Sequence, residues 1–217
     1  MPYRKYLRFT NEQISDDYSK RLCFINNIRS KYVVVGLISV ALCLNCYDIF
    51  ILQKKIDYNY FLTHFKSDII LLVFSFAFAL FIFFNQVKSY VQIHNYHKII
   101  HGIISLFILC WSAFKTAISL LDGHSNYFIL IIAVILVSTI YHFKTLAQLS
   151  QYALSILFLA SSFLLYNIAI SDFIKEIAYI AVVLAISFGL SRHLFNLQLA
   201  LFNKEAETAI YKKKFQE

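Results

Sequence analysis

The sequence predicts an all-α fold: a polytopic integral membrane bundle of six transmembrane helices. Both termini are expected on the cytoplasmic side, with an amphipathic N-terminal helix and a helical C-terminal tail. Three observations predict this. Hydrophobic residues make up 59% of the chain and charged residues 15%, whereas soluble domains are about a quarter charged; mean hydropathy is +0.64. Six apolar stretches, approximately 32–53, 67–87, 99–121, 126–143, 149–170 and 173–193, approach the roughly 20 residues needed to cross the hydrocarbon layer as a helix. Finally, the basic residues divide unequally between the two sides of these stretches.

With both ends inside, fifteen Lys and Arg fall on the cytoplasmic side and four (Lys54, Lys55, Lys66 and Lys175) fall outside, with Lys115 within a span. The positive-inside tendency then sets the orientation. It also explains the net charge of +8 without nucleic acid as a partner, because the basic residues flank apolar segments. The expected organisation is a cytoplasmic or interfacial segment over 1–31, a six-helix membrane domain over 32–193 and a cytoplasmic helical tail over 194–217. A bacterial chain of this kind would reside in the inner membrane, as a multi-pass protein.

Residues 1–9, MPYRKYLRF, alternate basic and aromatic side chains, as a segment at an anionic headgroup surface does. Thr10-Asn-Glu-Gln13 fits a capping box, in which the Thr and Gln side chains close a helix start reciprocally. The following helix places Ile14, Tyr18, Leu22, Ile25 and Ile28 on one face and should run into the first span. A polar, basic start and a long first apolar run predict that no cleavable signal peptide is present.

Each span carries a stripe of small or polar residues where a neighbour should pack, since helices in lipid associate through close packing and hydrogen bonds. Gly36, Ser39, Cys43 and Cys46 mark the first; Asp68, Ser75, Ala79 and Gln86 the second; Gln148, Gln151, Ser155, Ser162, Tyr166 and Ala169 the fifth; Ala178, Ala181, Ala185, Gly189 and Arg192 the sixth. With Gly limited to 4 residues and Pro to Pro2 alone, the helices should be unbroken. Of the four cysteines, Cys43, Cys46 and Cys110 lie within spans; small-residue packing is expected rather than a disulfide or redox pair. The first outer loop, QKKIDYNYFLTHFK, offers the largest extracytoplasmic surface.

The third span is the expected centre of the bundle. His94, His97, His101, Ser105, Ser112, Lys115, Ser119 and Asp122 fall within about 60° of one line at 100° per residue. Such a seam, from His101 through Ser105, Ser112, Lys115 and Ser119 to Asp122, must turn away from lipid. An ionisable residue at the depth of Lys115 needs a partner, and Asp48, Asp68 and Asp122 are the acids within reach. Either a buried Lys–Asp pair fixes the helix register, or the seam lines a water-filled or ligand-contacting path.

His94, His97 and His101 share one helical face, and the assigned topology brings His142 and His193 to the same side. Imidazoles can ligate metal or haem or sense pH, but interfacial and packing roles fit these histidines better. No glycine-rich phosphate loop, nucleophile elbow or paired-carboxylate motif appears in the sequence, so neither an enzymatic role nor a resident cofactor is expected.

The tail, SRHLFNLQLALFNKEAETAIYKKKFQE, continues the last span, with Phe195, Leu199, Phe202, Ala206 and Ala209 at the 4-3-4-3 spacing of a short coiled-coil seam. In helix count, inward termini and this helical exit, the chain resembles the six-helix membrane input modules that precede cyclase or kinase domains in bacterial signalling proteins. The resemblance implies a non-enzymatic signal-input or regulatory module acting on a cytoplasmic protein partner through its C-terminal helix. A homo-oligomeric pore or membrane-permeabilising effector lined by the third helix is the alternative, and a metal or haem protein a second. A pore requires Ser105, Ser112 and Ser119 to face water; a packed module requires them to face neighbouring helices.

Overall fold

The computed structural model describes residues 11–52, 58–121, 128–141, 143–166 and 170–214. Among them are six α-helices and no strand: α1 (Asn11–Phe50), α2 (Tyr58–Phe84), α3 (Asn95–Leu121), α4 (Phe128–Ile140), α5 (Thr145–Leu165) and α6 (Ile170–Lys214), with a 3-10 turn at Tyr90–Gln92 before α3. Five are long and apolar enough to cross a membrane. The exception, α4, is wholly apolar apart from Ser138 and Thr139, but its 13 residues reach only about 20 Å against a hydrocarbon layer of about 30 Å. The sequence expects a span over 126–143; residues 122–127 and His142 at its two ends lie outside those described. The capping box at Thr10 and the basic segment before it also fall outside.

Two helices are longer than a membrane requires. At 1.5 Å per residue, the 40 residues of α1 extend about 60 Å and the 45 of α6 about 68 Å. The amphipathic segment and first span are therefore one helix, as are the last span and most of the tail. Helix α2 begins at Tyr58, nine residues before the expected span, so nine of the fourteen residues of the predicted outer loop are helical. The segment YNYFLTHF supplies aromatic residues that pack, as Phe61 on Phe65 does, and its His64 finds a partner in Lys115 of α3.

Helix α3 holds the centre. It packs against α1, α2, α4 and α5, while α6 closes the far side against α4 and α5. Small residues let the backbones approach: Ala113 and Ala117, one turn apart on α3, are wholly buried, as are Ile104, Leu109 and Ile118. A continuous apolar core joins Ile104, Leu109, Ala113 and Ala117 to Ile82, Val134, Val137, Leu159 and Phe163. On α2, Phe74 stacks on Phe107 of α3 at 4.5 Å between ring centroids, and Phe78 meets the same ring edge-on. Leu157, Leu164, Val73 and Ile186 point outward and exposed, where lipid takes the place of water as the favourable neighbour. Inverted exposure of this kind is what a bundle dissolved in hydrocarbon needs.

Lengthening a packed small residue should therefore cost more than shortening an outward one. Ala117→Leu is expected to destabilise the detergent-solubilised protein by about 1–3 kcal/mol through overpacking. Leu157→Ala should leave the thermal midpoint nearly unchanged in the same assay.

Candidate functional site: a buried ion pair at the centre of the bundle

Lys115 sits six residues before the C-terminal end of α3, on the same face as Ser112 and Ser119, and is 3% exposed. Its ammonium nitrogen lies 2.8 Å from Asp68 Oδ1 on α2, and Asp68 is fully buried. A second bond, 2.9 Å, joins Lys115 Nζ to His64 Nδ1. The ammonium has only donors, so Nδ1 accepts and the ring's proton resides on Nε2, which faces the Tyr60 hydroxyl at 2.9 Å. Tyr60, His64 and Asp68 stand at i, i+4 and i+8 of α2, one helical face turned to Lys115. The result is a linear chain, Tyr60–His64–Lys115–Asp68, running from a partly exposed phenol to a buried carboxylate.

Asp48, near the C-terminal end of α1, completes the group. It is 2% exposed, feels the Lys115 charge and lies close enough to hydrogen-bond the Asp68 carboxyl. Nearby, Ser67 donates to Asp68 Oδ1 at 3.3 Å. Trp111, one turn before Lys115, donates its indole N–H to the Ser67 carbonyl at 3.1 Å, which ties α3 to α2 beside the ion pair. Of the three acids that the sequence puts within reach of Lys115, Asp68 makes the pair, Asp48 stands behind it, and Asp122 lies outside the described residues. His64 and Tyr60 are not apparent while the span is started at 67. Their four-residue spacing with Asp68 is the signal that extends it.

The described part of the seam before Lys115 is closed. Ser105 and Ser112 are fully buried and spend their hydroxyls on carbonyls of their own helix, Gly102 at 2.9 Å and Leu109 at 2.8 Å. Ser119 bonds the Lys115 carbonyl at 2.7 Å. These side chains satisfy themselves and leave the helix slim enough to be surrounded.

At the other end of α3, His101 is 2% exposed and its Nδ1 lies 3.0 Å from the Ser30 hydroxyl of α1, itself 3.0 Å from the Tyr141 hydroxyl after α4. His97 is buried and accepts the His94 backbone N–H at its Nδ1; His94 and His193 are exposed. Among the described residues no three His, Cys, Asp or Glu side chains are grouped to hold a metal ion, and His142 lies outside them. A neighbouring clamp joins the last three helices. Gln148 of α5 accepts from Ser191 at 3.0 Å and from Arg192 at 2.6 Å on α6, and donates to the Tyr152 hydroxyl, which contacts Ser138 of α4.

Comparison of the chain with protein-family models, with curated proteins and with solved structures yields no match.

Removing one member of a buried pair strands the other's charge, at about 3–5 kcal/mol. Lys115→Met and Asp68→Asn are each expected to lower stability by that order. Asp48→Asn should cost much less, because an amide there still offers a donor to Asp68. Equilibrium unfolding in mixed micelles checks the ranking.

Proposed function

We propose that this protein is a non-enzymatic signal-input or regulatory module of the inner or plasma membrane, oriented with both termini in the cytoplasm. In this reading the Lys115 group holds the bundle in one packing. A change at that group is passed through the long helices to a cytoplasmic protein partner. The observation that carries the reading is the pairing of the two helical extensions. Tyr18 of α1 donates to the Phe195 carbonyl of α6 at 3.2 Å and sits between the rings of Phe195 and Phe202, at 5.5 and 5.4 Å. One turn on, Arg21 pairs with Glu205 and lies over the Phe202 ring. The front of the expected coiled-coil seam is thus occupied by the chain's own first helix; the side chains of Ala206 and Ala209 lie outside the described residues.

Continuous helices suit such a relay. Each is far longer than the hydrocarbon layer, so a tilt or rotation set inside the membrane reappears at the extension. A relay needs two packings that differ by only a few kcal/mol, and a pair of helices spaced by aromatic rings can slide more readily than one with interlocked backbones. The pore reading fits the geometry less well. Helix α3 is enclosed by four helices, and the hydroxyls of its seam are turned to neighbours or spent on its own backbone.

The reading is tested by spin labels at Ser19→Cys and Leu201→Cys, in a background with Cys23, Cys43, Cys46 and Cys110 replaced, reconstituted in nanodiscs. Lys115→Met should shift or split the distance distribution between the labels. An unchanged distribution in a folded Lys115→Met protein would overturn the relay.

A further inference from the structure

The charges around Lys115 do not balance. Among the described residues, the groups meeting there are Asp48 from α1, Tyr60, His64 and Asp68 from α2, and Lys115 from α3. One ammonium faces two carboxyl groups, and the imidazole and phenol supply no second cation, since His64 Nδ1 accepts from Lys115. Both carboxyl groups are at least 98% buried, and among the described residues Oδ2 of each has no donor. The Ser75 hydroxyl, two turns below Asp68 on the same face of α2, is likewise buried without a partner among them. A hydrogen bond between two carboxyl groups, as Asp48 and Asp68 are placed to form, needs a proton on one of them. Asp68 is committed to Lys115 at 2.8 Å, so it stays the anion of the ion pair. Among the described residues Asp48 has no such cation of its own.

We propose that Asp48 and Asp68 form a binding site for one exchangeable proton, carried on Asp48 and shared toward Asp68, and that its occupancy is the stimulus the module senses. The balance is simple. Water supplies a proton to the Asp48 carboxylate, an O–H bond forms, and the group of Asp48, Asp68 and Lys115 passes from a net charge of −1 to neutral. Loss of the proton returns it to water and leaves two anions against one ammonium. Two like charges in a low dielectric repel strongly, so the empty site pushes α1 from α2 where the filled site binds them. Tyr60 and His64, both partly exposed, extend the hydrogen-bonded chain toward the start of α2 and give the buried pair a way to water. No other ligand class suits the site as well. With an ammonium inside the group and a single unpaired carboxyl group, the missing element is one donor on a carboxyl oxygen.

The role as stimulus rests on the relay proposed above; the proton site itself does not. Infrared difference spectroscopy on the full chain in nanodiscs tests the site. The C=O stretch of a protonated carboxylic acid should appear, shift on carboxyl-13C labelling of Asp, fade as pH rises, and vanish in Asp48→Asn. Absence of that band in the wild type at every pH where it remains folded would overturn the site, whatever the variants do. Persistence of the full band in Asp48→Asn would overturn it too, because the proton would then reside elsewhere. For the stimulus, the Ser19–Leu201 label distance should follow the same pH range in the wild type and become pH-independent in Asp48→Asn. A band that titrates while the distance stays fixed would keep the site and remove the signal. A distance indifferent even to Lys115→Met would fault the relay instead.

Discussion

An ammonium group cannot be left alone in a hydrocarbon layer, and this requirement at Lys115 orders much of the bundle. Its side chain is 3% exposed, in a setting where an unpaired charge costs several kcal/mol or more. The cost is offset only if a carboxylate is held within hydrogen-bonding distance, which fixes α2 against α3 in register and rotation. Asp68 meets the need, Trp111 and Ser67 brace the junction, and the upstream face of α2 is recruited through His64 and Tyr60. Because α2 begins at Tyr58, the group lies close to the turn between α1 and α2, where Asp48 can join it. A pure apolar interface would leave α2 free to rotate about its own axis, since lipid and Phe or Leu side chains are nearly equivalent neighbours.

The polar residues divide into two ends with a different chemistry at each. The Lys115 end contains formal charges in an unequal ratio. The His101 end contains neutral donors and acceptors, Ser30, Tyr141, Gln148, Tyr152 and Ser191, with Arg192 held by the Phe143 carbonyl at 2.6 Å. Between them, α3 carries hydroxyls that bond their own helix and small residues that allow close approach. In the relay proposed above, a rearrangement at Asp48 and Asp68 would act on α1 and α2 first, because Gln148, Ser191 and the Arg192 guanidinium clamp the far end. The α1 extension, paired through Tyr18 and Arg21 with α6, is where such a motion would leave the membrane.

Much of the architecture was legible in the sequence, because burial in lipid imposes long apolar runs and one-sided polar seams that composition alone reveals. The central place of α3 followed from its seam, and Asp68 and Asp48 from the depth of Lys115. The start of α2 was not legible. A run such as YNYFLTHFK reads as a loop when hydropathy is averaged, and only the spacing of Tyr60, His64 and Asp68 shows a helical face. The partner of Phe195 and Phe202 was also hidden. Their heptad spacing fits any apolar stripe, and nothing local to the tail points to Tyr18, 177 residues away. The end of α4 was hidden for a third reason: the helix stops at Ile140, while Tyr141 and Phe143 carry the aromatic run past it.

The most direct measurement concerns the ion pair itself. Solid-state NMR on bilayer-reconstituted protein, with Lys side-chain nitrogen and Asp carboxyl carbon isotopically labelled, reads the dipolar coupling between Lys115 Nζ and nearby Asp carbons. A strong coupling that disappears in Asp68→Asn is the predicted result. A Lys115 signal with no carboxyl carbon within hydrogen-bonding reach would contradict the arrangement on which the bundle is built.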